Sequence, residues 1–384
     1  MALTAQVPAA STAIAKLHAI RDFLNAHVVE RGAEIDVMLV ALIARKNAIL
    51  LGPPGVAKSY SINLLTACIE NANIFSLQLT KTTKPEEVFG PYDMVALKAG
   101  RFERLLDDYF GTAHVAFIDE VGKCSSALLN TFLTAMLDKK MRNGTQIVNL
   151  PLLSMFGASN EVPDSGDLGA FYDRFELRLN VKPLTLTGRA RLRTLTQPVG
   201  FPKISLTELN ELHTRAQLVR QNLPNEVFEG MESILEKLAA ENMTISDRRY
   251  MMALDLIAAN AVYNDRAPDP DDTAILASML WGRPQDEPTV RRIVAASANP
   301  TLTKAYELLD EAVRRYEDYF AKVKDLGGAG RTQFQVENTQ KFTGMSKEFK
   351  ELVGKNPGNR KLAELFAKFR ARHKAVYDHI TGEV

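Results

Sequence analysis

The sequence contains few cysteines, and its histidines are scattered. Its two cysteines, Cys68 and Cys124, are too few for a disulfide framework or a zinc site. Both lie among apolar neighbours in predicted helices, so we expect buried free thiols, as in proteins of a reducing compartment. The six histidines show no metal-ligand spacing, and no transition-metal centre is predicted.

The chain also lacks a long apolar run and a strong net charge. No apolar segment approaches the roughly 18 residues that a membrane-spanning helix requires, and no export signal is evident. The formal net charge is only +1, so nothing global indicates binding to nucleic acid or to a membrane surface. With 46% hydrophobic and 24% charged residues, the 384-residue chain has an ordinary globular composition and room for two or three domains. We expect a cytoplasmic protein without membrane insertion.

A glycine-rich loop follows an apolar run near residue 50. In a loop of this pattern, backbone N–H groups surround an anion, and the following helix directs its positive dipole end toward that anion. Lys58 is expected to reach the outer phosphates of a nucleotide, and the Ser59 hydroxyl to bind Mg²⁺. The predicted nucleotide-binding residues are Gly52, Pro53, Pro54, Gly55, Val56, Ala57, Lys58, Ser59 and Tyr60.

One position departs from the common phosphate-loop pattern. Ala57 stands where glycine usually precedes the lysine. Alanine tolerates helical dihedrals, but its Cβ comes close to the phosphates. The alternative interpretation is a Gly/Pro turn that contains Lys-Ser by chance.

The hydrophobic pattern predicts an α/β domain followed by helices. Helical spacing is visible over residues 12–45, and apolar strands are predicted at 48–51, 114–118 and 152–156, with alternating strands at 74–80 and 175–181. Strands separated by helices favour a parallel sheet. From about residue 205 onward the pattern is helical only.

Polar side chains follow several of these predicted strands. Asp119 and Glu120 end the buried strand 114–118, where parallel sheets place their ligands. Asp119 is expected to orient Mg²⁺, and Glu120 to activate the attacking water as a general base. The alternative for this pair is an acidic helix N-terminus. Asn160, after another strand, is expected to bind the attacking water or the γ-phosphate, or else to act as a turn residue.

Two arginines complete the set of candidate catalytic residues. Arg174 precedes the last strand; in an oligomer it could reach the γ-phosphate of a neighbouring subunit, and its alternative role is a surface salt bridge with Asp173. Arg248 follows Ser246 and Asp247, either of which could cap a helix. Arg248 is expected to project back over the phosphates, and its alternative role is that of a basic surface turn.

These motifs together resemble the MoxR branch of AAA+ ATPases, and within it the RavA-like group. The similar stretches run in order from residue 50 to 254: LLGPPGVAKS (50–59), TTKPEEVFGP (82–91), GRFERL (100–105), VAFIDEVGKCSSALLNTFLTAMLDKKMRNG (115–144), GASNEVPD (157–164), LGAFYDRFELRL (168–179) and ISDRRYMMAL (245–254).

The resemblance implies a role for each motif. Gly52, Gly55, Lys58 and Ser59 would form the Walker A loop, and Asp119 and Glu120 the Walker B motif. Asn160 would be sensor 1, Arg174 an arginine finger acting in trans, and Arg248 sensor 2. Arg142 and Arg178 lie in similar contexts, but a salt bridge on the strand is the favoured role for Arg178.

The resemblance also implies a domain order. An AAA+ P-loop core with a parallel sheet flanked by helices would occupy residues 1–190, an all-α lid 191–300, and a helical C-terminal extension 301–384. Within the core, residues 82–113 resemble the family's helix-2 insert, with Gly-Arg-Phe-Glu at a hairpin tip, and 141–155 a second hairpin with its turn at Asn143-Gly144. The extension resembles no known domain; a small helical hairpin is favoured, broken at residues 326–330 and followed by a polar stretch to about 340.

The function implied is a Mg²⁺-dependent ATPase that forms a homo-oligomeric ring, with six subunits by resemblance. It would couple ATP hydrolysis to chaperone-like remodelling of a protein client, with a von Willebrand A-domain partner. Alternatives are the motor subunit of a metal chelatase, a nucleic-acid motor, and a non-catalytic nucleotide-gated scaffold. The insert carries Lys98 and Arg101 but also Glu103, Asp107 and Asp108, so a nucleic-acid partner is not expected.

Overall fold

The computed structural model describes residues 12–161, 167–298, 300–324, 327–355 and 360–381. It divides into two compact units, with the boundary between Val294 and Ala295. Residues 1–11 and 162–166 of the predicted core lie outside the described residues, as do the last residues of the GASNEVPD stretch.

The first part of the chain alternates helices with strands. Three short 3-10 helices, at Phe110–Thr112, Val121–Lys123 and Pro270–Ser278, add to the first unit. The α-helices and strands up to residue 192 are α1 (Thr12–His27), α2 (Gly32–Ala44), β1 (Ala48–Leu51), α3 (Lys58–Ala67), β2 (Ile69–Glu70), β3 (Ile74–Gln78), α4 (Pro85–Phe89), α5 (Met94–Lys98), β4 (Val115–Asp119), α6 (Ser126–Asp138), β5 (Lys140–Asn143), β6 (Gln146–Asn149), β7 (Ser154–Ser159), α7 (Asp167–Tyr172), β8 (Leu177–Asn180) and α8 (Leu186–Leu192).

Five of these strands form one parallel sheet in the order β3-β4-β7-β1-β8. Its central strands are buried along their whole length, which explains their continuous apolar sequences. Because the strands are parallel, their carboxyl ends share one edge, and Leu51 pairs there with Ser159 and with Asn180. The predicted α/β fold is confirmed. Both cysteines are buried and free, as expected, and burial raises the pKa of Cys68 to about 11 and of Cys124 to about 12.

The predicted insert differs from the expected hairpin. It contains the short helices α4 and α5, and one antiparallel bridge pairs Tyr92, before α5, with Arg104, after it. The Asp93 side chain caps α5 by accepting a hydrogen bond from the Val95 N–H (2.8 Å), and Gly100 leaves the helix with φ +76°. Local capping therefore favours a helix directly before the Gly-Arg-Phe-Glu segment that was expected at a hairpin tip.

The second hairpin is present as β5 and β6, but its turn is shifted by one residue. Asn143 pairs with Gln146, so Gly144 and Thr145 occupy the turn. The Asn143 amide instead binds the main chain of Arg104: its Oδ1 accepts from the Arg104 N–H (2.6 Å), and its Nδ2 donates to the Arg104 carbonyl (3.1 Å). These two bonds fasten the hairpin to the insert.

The remainder of the first unit is helical, apart from a short strand that pairs with β2. Its elements are β9 (Ile204–Ser205), α9 (Leu206–Gln221), α10 (Asn225–Ala240), α11 (Asp247–Tyr263) and α12 (Glu287–Ala298), whose last residues enter the second unit.

Helix α2 packs between the sheet and this helical part. Its residues 37–44 are all buried. On one side the Ala41 carbonyl accepts from the Ser154 hydroxyl of β7 (3.2 Å), and on the other the Ile43 carbonyl contacts Nδ1 of His213 on α9 (2.9 Å). Lys46, just after α2, pairs with Asp255 of α11 (2.8 Å). The helical part is therefore fixed to the core through α2.

The second unit contains three helices where the sequence favours a hairpin. They are α13 (Pro300–Lys322), α14 (Gly328–Lys355) and α15 (Arg360–Thr381). The polar stretch to about residue 340, predicted to follow a helix break, belongs to α14 from Gly328 onward. Phe342 and Phe349 at helical spacing are fully buried, and Phe334 stacks on Tyr319 with ring centres 5.9 Å apart. No described helix of the chain has both the length and the apolar character needed to cross a bilayer.

Candidate functional site

The phosphate loop lies between β1 and α3. Gly52 has φ +154°, and a Cβ added there would lie 2.2 Å from the Val181 carbonyl oxygen. Gly55 has φ +80°. Ala57 adopts a left-handed conformation with φ +66°, not the helical dihedrals expected for it, which costs an alanine about 1–2 kcal/mol. The loop is thus held close to β8 at Gly52 and in a strained left-handed conformation at Ala57.

A chain of polar groups begins at Lys58, which is 6% exposed. Its ammonium donates to the carbonyls of Gly52 (2.7 Å) and Pro53 (2.9 Å) and to Oδ1 of Asn160 (2.8 Å). The Asn160 amide nitrogen in turn donates to Oε1 of Glu120 (2.8 Å). Burial lowers the pKa of Lys58, while nearby acidic groups oppose that shift. Three predicted residues, which follow three different strands in the sequence, therefore meet in one hydrogen-bonded chain.

A second contact joins the predicted magnesium ligands. The Ser59 hydroxyl donates to Oδ2 of Asp119 (2.7 Å), and the other oxygen of Asp119 accepts from the Glu120 N–H (2.8 Å). Glu120 itself has φ +55°. A hydroxyl and a carboxylate oxygen at one point are hard ligands of the kind that Mg²⁺ prefers. The residues present therefore fit that ion.

Beside the loop lies a cavity of about 400 Å³ that the sequence did not reveal. One wall is the Walker A loop with Tyr60, and the other walls come from the α1–α2 connection and the segment around α8. They include His27, Val28, Val29, Arg31, Pro183, Leu184, Arg189, Leu192 and Leu195. Such a largely apolar pocket suits a flat heterocycle. Outside the Walker A loop, the apolar pair Val28-Val29 is the one sequence feature that could have indicated this cavity, and the other lining residues show no local pattern.

Arg31 connects this cavity to the loop. It is 4% exposed, its Nη2 donates to the Lys182 carbonyl (2.6 Å), and both its Nε and Nη2 contact the Val56 carbonyl (3.3 Å). The preceding Glu30 accepts from the Thr185 N–H (2.9 Å) at the start of α8. Two adjacent residues therefore hold the loop and the opposite wall of the cavity together.

Arg174 lies at the other edge of the sheet. Its carbonyl accepts a hydrogen bond from the Asn47 amide nitrogen (3.1 Å), and Asn47 directly precedes β1. The phosphate loop follows β1, a strand of four residues that spans about 13 Å. Arg174 and Lys58 are therefore separated by the length of a strand.

Arg248 lies with Arg174. Both line a cavity of about 140 Å³ together with Asp173, Glu176, Ser246, Arg249, Met252 and Met279. Arg248 is exposed and is not among the residues that line the cavity beside the phosphate loop. The Ser246 hydroxyl accepts from the Arg249 N–H (3.4 Å) and caps α11, as predicted.

The chain is similar to known proteins over most of its length. The family described as the MoxR domain in the MoxR-vWA-beta-propeller ternary systems matches residues 15–197, and the AAA lid domain family matches residues 226–294. The uncharacterized protein MJ0079 of Methanocaldococcus jannaschii is 35% identical over 302 residues, which cover 77% of each chain. MJ0812 of the same organism is 34% identical over 275 residues, or 70% of this chain and 72% of its own.

A solved structure extends the comparison to the fold. A crystal structure of a proposed ATPase from Cytophaga hutchinsonii covers 75% of this chain and 95% of its own, with a TM-score of 0.59. Its identity of 20% supports the fold alone. These matches do not separate the RavA-like branch from others, so that finer assignment stays a prediction. From its two matching families and its similarity to these relatives, the chain belongs to the MoxR family of AAA+ ATPases.

Proposed function

We propose that this chain is a Mg²⁺-dependent ATPase that works as a ring of identical subunits and remodels a protein client. One observation carries the proposal: Lys58, Asn160 and Glu120 form a hydrogen-bonded chain beside the Ser59–Asp119 pair. These are the groups that phosphoryl transfer from a nucleotide to water requires, namely a phosphate-binding cation, a water-orienting amide and a carboxylate base.

The reaction follows from these positions. The base of ATP occupies the cavity of about 400 Å³, and its phosphates lie on the N–H groups of the loop and the N-terminus of α3. Lys58 exchanges its carbonyl contacts for phosphate oxygens. Glu120 accepts a proton as water attacks the γ-phosphorus and the bond to ADP breaks, with Asn160 orienting that water. Ser59 and Asp119 would hold Mg²⁺, which when bound neutralises charge on the phosphate oxygens.

Arg174 and Arg248 act on the nucleotide of a neighbouring subunit. Arg174 lies at the sheet edge opposite its own phosphate loop, and Arg248 shares its cavity. We therefore assign both arginines to the same phosphate in trans, where they stabilise the charge of the transition state. This differs from the sequence-based expectation that Arg248 reaches over the phosphates of its own subunit. Closed rings satisfy every such interface, and six subunits is the number implied by the resemblance.

A von Willebrand A-domain protein is the proposed partner. The matching family is described by its ternary systems with vWA and beta-propeller proteins, which supports this assignment. A nucleic-acid motor is less well supported, because Arg101 of the insert pairs with Glu103 (3.0 Å) and is not a free cation for a phosphate track. In a pull-down with ATP present, a tagged Glu120→Gln variant is expected to recover a vWA protein both with and without nuclease treatment. Recovery of DNA-processing proteins only without nuclease would favour the nucleic-acid motor.

Phosphate release by purified variants tests the ATPase. Glu120→Gln is expected to abolish turnover and retain ATP binding, because only the base is lost. Arg174→Ala is expected to do the same, whereas Arg292→Ala, a change of an exposed arginine on α12, keeps wild-type turnover. Mixing Arg174→Ala with Lys58→Ala subunits should restore hydrolysis, since each supplies what the other lacks. Wild-type turnover by Glu120→Gln would refute the assigned base, and full activity of Arg174→Ala would refute the trans assignment.

A further inference from the structure

Arg178 of β8 is a fully buried cation that joins the core to the helical part. It is 0% exposed. Its Nη1 donates to the Trp281 carbonyl (2.5 Å) and its Nη2 to Oδ1 of Asp173 (2.9 Å), while its guanidinium carbon lies 4.6 Å from the centre of the Tyr172 ring. Burial lowers its pKa to about 10, so it remains charged at neutral pH and requires a counter-charge. Asp173 supplies that charge. Arg178 therefore forms a salt bridge, as the sequence favoured, but its partner precedes β8 and does not lie on the strand.

The same carboxylate oxygen receives a second arginine. Nη2 of Arg249, on α11, lies 3.5 Å from Oδ1 of Asp173. Burial is the main cause that lowers the pKa of Arg249, and Asp173 opposes it. One cation from the sheet and one from the helical part therefore converge on Asp173, which precedes Arg174 directly in the sequence.

Arg174 itself does not share this carboxylate. The sequence left open a salt bridge between Arg174 and Asp173, but within the described ranges Asp173 binds the two other arginines. The buried Nε of Arg174 has no hydrogen-bond partner among the described residues. Glu176, the other acidic group of the cavity, accepts from the Asn47 main-chain N–H (2.8 Å). The cavity therefore holds an arginine whose donor lacks an acceptor.

We infer that Asp173 is the positioning residue of the arginine finger. By binding Arg178 and Arg249, it fastens the Arg174 loop to both β8 and α11 and leaves the Arg174 guanidinium free for an external phosphate. The inference rests on the proposed function, because it takes Arg174 to act on a neighbour's nucleotide. Asp173 contacts no reacting atom; its role is exerted through Arg174, whose direction it fixes.

Asp173→Asn tests this role with a small change of shape. The amide can still accept from Arg178 but loses the charge that holds two cations together. We expect kcat for ATP hydrolysis to fall by about 10–100-fold, because a misplaced catalytic group costs rate in this range. The KM for ATP should stay within about twofold, since the subunit's own phosphate loop lies at the opposite sheet edge. Asp310→Asn, a change of an exposed aspartate on α13, is the matched control and should leave kcat unchanged.

Subunit mixing separates positioning from a general defect. A Lys58→Ala subunit has an intact finger and can serve the intact nucleotide site of an Asp173→Asn neighbour, so mixing should restore hydrolysis. The inference would be overturned if this mixture stayed inactive while the mixture of Arg174→Ala and Lys58→Ala subunits hydrolysed ATP. The damage would then lie in the nucleotide site of the Asp173→Asn subunit itself. Unchanged kcat in Asp173→Asn alongside inactive Arg174→Ala would overturn it too, with the proposed function intact. Full activity of Arg174→Ala would instead reject the proposed function.

Discussion

Replacing Gly52 by alanine probes how closely the phosphate loop approaches β8. The added Cβ would lie 2.2 Å from the Val181 carbonyl oxygen, whereas real Cβ contacts essentially never fall below 3.0 Å, so the two segments must separate by about 0.8 Å. Backbone bonds oppose that movement: the Val181 N–H donates to Leu51 (2.7 Å), and the Gly52 N–H donates to Ser159 (3.2 Å).

The expected cost has two parts. An alanine at φ +154° is strained by about 1–3 kcal/mol, and weakening these two backbone hydrogen bonds adds about 1–2 kcal/mol. Gly55→Ala is the matched control, because Gly55 also has positive φ (+80°) but a Cβ added there would meet no atom within 4 Å. The difference between the two variants isolates the steric part, about 1–2 kcal/mol.

Calorimetry of both variants measures this difference. With about 2–4 °C per kcal/mol for a domain of this size, Gly52→Ala should melt roughly 2–8 °C below Gly55→Ala. ATP affinity should also fall more in Gly52→Ala, because the contact with Val181 displaces the loop whose N–H groups are proposed to bind the phosphates. Equal melting temperatures for the two variants would refute the argument that contact with Val181 requires glycine at position 52.

Three further predictions concern other parts of the first unit. Arg31→Met should weaken ATP binding about tenfold by titration calorimetry, because main-chain carbonyls on both sides of the cavity lose their donor; unchanged affinity would contradict this. Burial lowers the pKa of Lys139 to about 8. Its charged form is therefore disfavoured in the folded state, so wild-type stability should rise between about pH 8 and 10.5. Lys139→Met should accordingly have a higher melting temperature than wild type at pH 7, and this difference should shrink as the pH rises. Lys140→Met, at an exposed position, should show no pH-dependent difference in melting temperature. Asn143→Ala should speed tryptic cleavage after Arg104 about tenfold, since two bonds to that residue are lost; an unchanged rate would show that the hairpin does not hold the insert.

The sequence was informative wherever local pattern determines structure. Strands β1, β4 and β7 are buried on both faces, so their apolar runs identified them, and parallel pairing brings their carboxyl ends together. The meeting of Lys58, Glu120 and Asn160 could therefore be anticipated from three separate stretches. The polar first part of α14 gave no such signal, because Phe334 packs on Tyr319 of another helix.

Contacts between distant residues were not accessible in this way. The Arg178 guanidinium binds a carbonyl 103 positions away, and no spacing rule connects Arg178 with Trp281. Arg31 likewise reaches the Lys182 carbonyl across 151 positions. Helical dihedrals were expected for Ala57, because alanine tolerates them. The loop instead imposes a left-handed conformation, which alanine itself does not favour. Tertiary packing determines each of these features, and they could not be predicted from a single sequence.

Helix α2 has a consequence for synthesis of the chain. Residues 37–44 are buried partly by the sheet and partly by α9 and α11, which are made much later. At about 5–20 residues per second, α2 waits on the order of 10–40 s for α11 to be translated. During that interval an apolar helix has one face without its partner. The nascent chain should therefore depend on a holding chaperone, and a fragment that stops after residue 197 should self-associate, although a family boundary lies there.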